Sequence, residues 1–187
     1  LVGSEMCIRD SWELYLGGPE KGLVRGVMAD VPCLVLGEAV RTPMTAASRG
    51  AVAREVFALA RGTTVVAQCD AATVSCLVAA LCQEAGVPLP TPAFAMWPEI
   101  SRAVRRELSR KVRRAIAEPC QRIAALRPDI RAWFEGARRS LDRAALLAAG
   151  DPSLVLSESL QVHRADLGSR VSDSDRAKRL LAFSFSP

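Results

Sequence analysis

Few residues in this chain could do chemistry, and they lie far apart. Glu55 sits in Ser48–Arg61, directly after Arg54 and three residues before Ala58. Asp142 sits in Ala137–Pro152, four residues after Arg138 and three after Arg139. A carboxylate on each of two helices could supply a general base or a metal ligand, but either role needs further donors. The only histidine, His163, lies on a polar stretch and reads as an exposed side chain, so no Ser/His/Asp set can be built around it. Gly17-Gly18 and Gly22 lack the Gly-Lys-Ser/Thr that completes a phosphate loop.

The six cysteines are Cys7, Cys33, Cys69, Cys76, Cys82 and Cys120, and no two are spaced as Cys-x-x-Cys. Cys69, Cys76 and Cys82 stand among apolar residues and read as small core side chains. Free thiols in this number fit a reducing compartment, so a cytoplasmic location is the expectation.

One stretch is strongly basic. Ser101–Arg114 holds Arg102, Arg105, Arg106, Arg110, Lys111, Arg113 and Arg114 against a single acid, Glu107. Ile100, Val104, Leu108, Val112 and Ile116 recur at steps of four, which predicts one long helix from Pro98 to about Ala117 with an apolar face turned inward. The positive remainder is either a solvated face or a contact for something acidic, such as nucleic acid, anionic lipid or an acidic protein surface. No helix-turn-helix, zinc-finger or RNP pattern accompanies it.

The elements that must position these residues can be read from periodicity and stop signals. At 187 residues, half of them apolar and a twentieth aromatic, the chain can bury one core built from Ala, Leu and Val. No apolar run reaches membrane-spanning length. Trp12–Leu16, Gly22–Met28 and Cys33–Leu36 read as three short strands in an antiparallel meander. Arg41-Thr42-Pro43 reads as a helix entry with Pro near the first helical position.

Ser48–Arg61 reads as a helix with Ser48 as N-cap, Gly62 as its stop and an apolar stripe of Val52, Val56, Phe57, Leu59 and Ala60. Thr63–Val66 is β-branched and reads as extended. Asp70 or Thr73 then caps an apolar helix through Val74, Leu77, Val78 and Leu81 to Gly86. Val87–Pro98 carries four prolines and reads as a loop. Pro119 is expected to interrupt the long helix, with a shorter one following through Ile123 and Leu126. Further helices are expected from Pro128 to Gly150, from Asp151-Pro152 through Leu160, and over Asp175–Phe185. His163–Ser174 reads as a loop.

Two segments together resemble the zinc metallopeptidase class that includes the CAAX-prenyl protease and the heat-shock membrane protease. Ala53–Leu59, AREVFAL, occupies the frame of His-Glu-x-x-His, and Ala137–Pro152, ARRSLDRAALLAAGDP, that of Glu-x-x-x-Asp followed by small apolar residues. The stretch from Trp12 to Leu160 is also similar to the peptidase-like domain at the C-terminus of large tetratricopeptide-repeat proteins of myxobacterial type. The resemblance implies a zinc site of two imidazoles one helical turn apart, a carboxylate ligand from a distant helix, and a glutamate base.

In this chain Arg54 and Ala58 take the two imidazole positions and Arg138 the ligand carboxylate position, while Glu55 and Asp142 remain. One carboxylate beside guanidinium groups cannot hold a dication, so no metal and no cofactor is expected. Pairing of Glu55 and Asp142 with Arg54, Arg138 and Arg139 would then link the two helices in place of a metal.

The expected fold class is α+β, mainly helical. A small N-terminal antiparallel β meander spans 12–40, a metallopeptidase-like helical core spans 43–161, and a loop and helix follow over 162–187. Leu1–Ser11, LVGSEMCIRDS, does not start with Met, lacks a signal-peptide plan and resembles translated sequencing-adapter read-through, so it is set apart from the fold. The expected function is a non-catalytic protein-interaction or scaffold module, a pseudopeptidase piece of a larger bacterial repeat protein. Acidic-surface or nucleic-acid binding through 101–114 is the alternative, and residual hydrolysis a third.

Overall fold

In the computed structural model the described residues are 12–17, 20–87, 89–171 and 174–185. The separate character expected of Leu1–Ser11, and the site of Cys7, fall outside them. The described residues are mainly helical with one small sheet, an α+β fold. They divide into two compact units: one drawn from Leu1–Ala67 and Arg139–Pro187, the other from Gln68–Arg138.

That first unit begins with strands β1 (Glu13–Leu16), β2 (Val24–Val27) and β3 (Cys33–Leu36). Their order is β1-β3-β2: β2 pairs antiparallel to β3, but β1 pairs parallel to it, Glu13 opposite Cys33 and Leu16 opposite Leu36. The sheet is therefore mixed, and the expected antiparallel meander is corrected. β3 runs between the other two and buries Leu34 and Leu36, while all four residues of β1 are exposed.

Helix α1 (Ala46–Ala60) covers the sheet, with Leu59 packed among Leu34, Leu36 and Val40. Its N-cap is Thr45, whose hydroxyl accepts from the Ser48 amide; Ser48, expected as the cap, stands in the first turn. Pro43 lies outside the helix, in a cis bond to Thr42. Gly62 ends the helix in the left-handed region at φ 63°, as the sequence implied.

The expected apolar stripe is also corrected. The residues that α1 buries are Gly50, Glu55, Ala58 and Leu59, whereas Val56 and Ala60 are exposed. Small residues face inward because the helix runs close to its neighbours. A Cβ on Gly50 would lie 3.2 Å from the Ala149 Cβ, and one on Gly26 only 2.9 Å from Leu59 Cγ.

A short helix, α2 (Thr64–Gln68), replaces the extended segment expected at Thr63–Val66. Confined between Gly62 and the next cap, this segment closes one turn and buries Val66.

The second unit holds α3 (Ala71–Glu84), α4 (Trp97–Glu107), α5 (Arg110–Ala115) and α6 (Ala117–Leu126). Asp70 caps α3 by accepting from the Thr73 amide at 2.7 Å. The single helix expected over Pro98–Ala117 is corrected to α4 and α5. Leu108 turns extended at ψ 113°, and the Ser109 hydroxyl caps the new helix at Val112. Pro119 does not interrupt a helix but sits in the first turn of α6, where the missing amide has no intrahelical partner to lose. Val74, Cys76, Ala79, Ala80 and Cys82 of α3 are buried, as are Val104, Cys120 and Phe134. Cys69 is only partly buried, so the core reading fails for that one thiol of three. Burial, reinforced by a hydrogen bond with Cys120, pushes the Cys82 thiol up to about 12.

Helix α7 (Ile130–Ala149) carries the chain back to the first unit. There α8 (Pro152–Leu160) is capped by Asp151, which accepts from the Ser153 amide at 2.8 Å. The loop expected at His163–Ser174 instead contains a 3-10 turn (Arg164–Asp166) and a short helix, α9 (Leu167–Val171), that buries Leu167. Helix α10 (Asp175–Ser184) follows as expected, capped by Ser174. Ala145, Leu146 and Ala149 form one core with Val155, Leu156, Leu167, Ala177 and Leu180. No helix among the described residues is long and apolar enough to cross a membrane.

Candidate functional site

The two retained carboxylates both lie in the first unit, and each is buried. Glu55 projects from the inner face of α1 toward β2, where its Oε2 accepts from the Gly26 amide at 2.8 Å. Glycine at 26 allows this approach, since a Cβ there would come within 3.2 Å of the same oxygen. The carboxylate thus fixes the helix to the backbone of the strand beneath it.

Asp142, on the inner face of α7, is only 2% exposed and is held by two guanidinium groups. Arg176 of α10 grips it with both prongs, Nε to Oδ2 at 2.6 Å and Nη2 to Oδ1 at 2.7 Å. Arg54 of α1 adds Nη2 to Oδ1 at 3.3 Å and reaches Glu158 of α8 through Nη1 at 2.9 Å. A forked pair of this kind is strong and directional, and burial shields it from salt. One aspartate therefore ties α7 to α1 and α10, and Arg54 extends the tie to α8.

The structure brings together Arg54 and Asp142 of the residues singled out in the sequence, and places Glu55 one step along the same helix with a different partner. Ala58, at the second imidazole position, is fully buried. Arg138 belongs to the other unit, with its guanidinium 5.8 Å from the centre of the Phe134 ring. The Gly26 amide bonds Glu55 because β2 lies directly under that face of α1. Arg176, the principal partner of Asp142, was not foreseen. The one signal for it was Asp-Arg at the opening of an amphipathic helix, which names no partner 34 residues away.

Among the described residues no three His, Cys, Asp or Glu side chains converge as a metal-binding group. Beside the cluster runs an open cleft of about 430 Å³, lined by Ala47, Gly50, Ala51, Ala149, Ser157 and Glu158 among others. Its walls are mostly small residues, and its charged wall residue is the Glu158 that Arg54 engages.

The basic stretch is divided between α4 and α5, and part of its charge is spent inside its own unit. Arg105 and Arg113 both pair with Glu84 of α3, at 2.9 and 3.2 Å, and the Glu84 side chain is 9% exposed. Arg106 pairs with its neighbour Glu107 at 2.7 Å, and Arg102 donates to the Pro98 carbonyl at 3.1 Å. Arg110, Lys111 and Arg114 are exposed. His163 is exposed beside the 3-10 turn.

Comparison with protein-family models, with curated proteins and with solved structures returns no significant match.

Proposed function

We propose that this chain is a non-catalytic protein-interaction module in which ion pairs and amide contacts occupy the frame of a zinc peptidase-like site. The observation that carries the reading is the engagement of both retained carboxylates, Asp142 by two arginines and Glu55 by the Gly26 amide. A general base must reach a bound water, and both oxygens of Asp142 and Oε2 of Glu55 are already bonded to protein donors. The same groups are well suited to fixing four helices as a rigid support. Leu14 and Leu16 of β1, 61% and 76% exposed, give that support an apolar edge of the kind partners cover.

The reading is tested by equilibrating the purified chain with zinc sulfate, desalting it, and measuring bound metal and cleavage of a fluorogenic peptide library. We expect no retained zinc and no cleavage. Zinc near one per chain together with cleavage overturns the proposal. Sequencing the source locus upstream tests the scaffold context, where tandem repeats of about 34 residues are the expected finding.

A second reading rests on Arg110, Lys111 and Arg114, which stand exposed on α5 and carry no ion pair among the described residues. They would meet an acidic surface or nucleic acid. Binding of this kind weakens steeply with salt, and reversing the charge of the three residues should abolish it in a duplex-DNA titration. Arg105 and Arg113 are poor choices for that test, because their loss would strand the largely buried Glu84.

A further inference from the structure

The buried Asp142–Arg176 pair does not account for the arginines gathered around it. Among the described residues the crevice beside the pair is lined by Arg139, Arg143, Arg176 and Arg179, together with Asp142 and Leu180. Arg139 and Arg143 stand one turn apart on α7, and Arg176 and Arg179 one turn apart on α10, so the two helices present matching pairs. Asp142 already has both oxygens bonded to Arg176, and Arg54 shares one of them.

Arg143 lies over the Phe183 ring, 4.9 Å from its centre, which fixes the position of its guanidinium. Arg139 is partly exposed and Arg179 exposed, and neither makes a hydrogen bond or ion pair among the described residues. Like charges lining one crevice repel, and among the described residues no ion pair engages Arg139, Arg143 or Arg179.

The geometry points to an oxyanion-binding site of the phosphate class at the mouth of this crevice, held by Arg139, Arg143 and Arg179. Guanidinium forks match the oxygens of a phosphate, and three of them can engage one tetrahedral group from different sides. Arg176 forms the inner wall and is kept in place by Asp142, so the site is preorganised by the same pair that joins α7 to α10. The ligand is either free phosphate or a phosphate monoester, which present the same face to the arginines.

The test is a calorimetric and thermal-shift titration of the whole chain with inorganic phosphate and, separately, with O-phosphoserine, against sodium chloride at matched ionic strength. Saturable binding of phosphate is expected, and Arg139→Gln with Arg179→Gln should weaken it by about tenfold or more through loss of charge-assisted bonds. This double variant leaves the Asp142 pair and the Arg143–Phe183 contact intact. A control variant, Arg110→Gln with Lys111→Gln, should bind as the parent does. Tighter binding of O-phosphoserine than of phosphate identifies a monoester as the ligand, and equal or weaker binding identifies the free ion. Absence of a saturable response, or an equal loss in both variants, overturns the proposal.

Discussion

Replacing Asp142 with alanine should lower the melting temperature by roughly 6–20 °C, the consequence of losing about 3–5 kcal/mol from a buried ion pair in a chain of this size. The side chain is 2% exposed, and its removal takes away the forked pair of Arg176 and one carboxylate contact of Arg54, whose side chains are only 17% and 14% exposed. Most of the penalty is the loss of the negative charge that these two guanidiniums share, so Asp142→Asn, which keeps the volume and an acceptor, should recover only part of it. Double substitution of Asp142 and Arg176 by a well-packed apolar pair should be milder than Asp142→Ala alone. Melting followed by circular dichroism checks the series. A shift of under about 2 °C for the alanine variant would remove the structural role assigned to the pair.

Gly37→Ala should cost about 3 kcal/mol or more, because the added methyl group meets backbone rather than a movable side chain. Its Cβ would lie 2.3 Å from the Glu20 carbonyl oxygen and 2.4 Å from that of Lys21. No rotamer change relieves such a clash. The segment over 20–23 would have to withdraw from the end of β3, breaking the 2.7 Å bonds from the Gly37 amide to the Leu23 carbonyl and from the Ala39 amide to the Lys21 carbonyl. Gly168→Ala is the matched control: it has open space around it and no positive φ, so its effect should stay within about 0.5 kcal/mol. Chemical denaturation of both variants decides the matter, and equal midpoints would count against the tight crossing at Gly37.

Local signals in the sequence located the helix ends well and the long-range partners poorly. Asp70 and Asp151 cap helices as their types imply, and Gly62, Gly86 and Gly150 take positive φ just beyond helix ends. Each of these depends on a handful of neighbouring atoms. The five aliphatics at steps of four mark a face across 100–116 but not its continuity, which the Ser109 cap and the extended Leu108 break.

The alternation in the first strands specifies extended chain and says nothing of direction, so the parallel pairing of β1 with β3 could not be read from it. On α1 the inward face is made of Gly50, Glu55, Ala58 and Leu59, and a search for large apolar residues passes over three of these. The candidate site was legible as a pair of helices bearing a carboxylate each. Its closing residue, Arg176, was not, because no local pattern reports a pairing with a helix so distant in sequence.

The first unit is interrupted in sequence, its two parts flanking Gln68–Arg138. During vectorial synthesis the strands and α1 leave the ribosome early and must wait for a whole intervening unit before α7, α8 and α10 arrive. The intervening segment is continuous and can collect its own contacts as it emerges, so it should mature first. Until Arg176 appears, Asp142 lacks its forked partner, and the apolar face later covered by Ala177 and Leu180 stays open. That window is the period in which a nascent chain of this design most needs a holding chaperone.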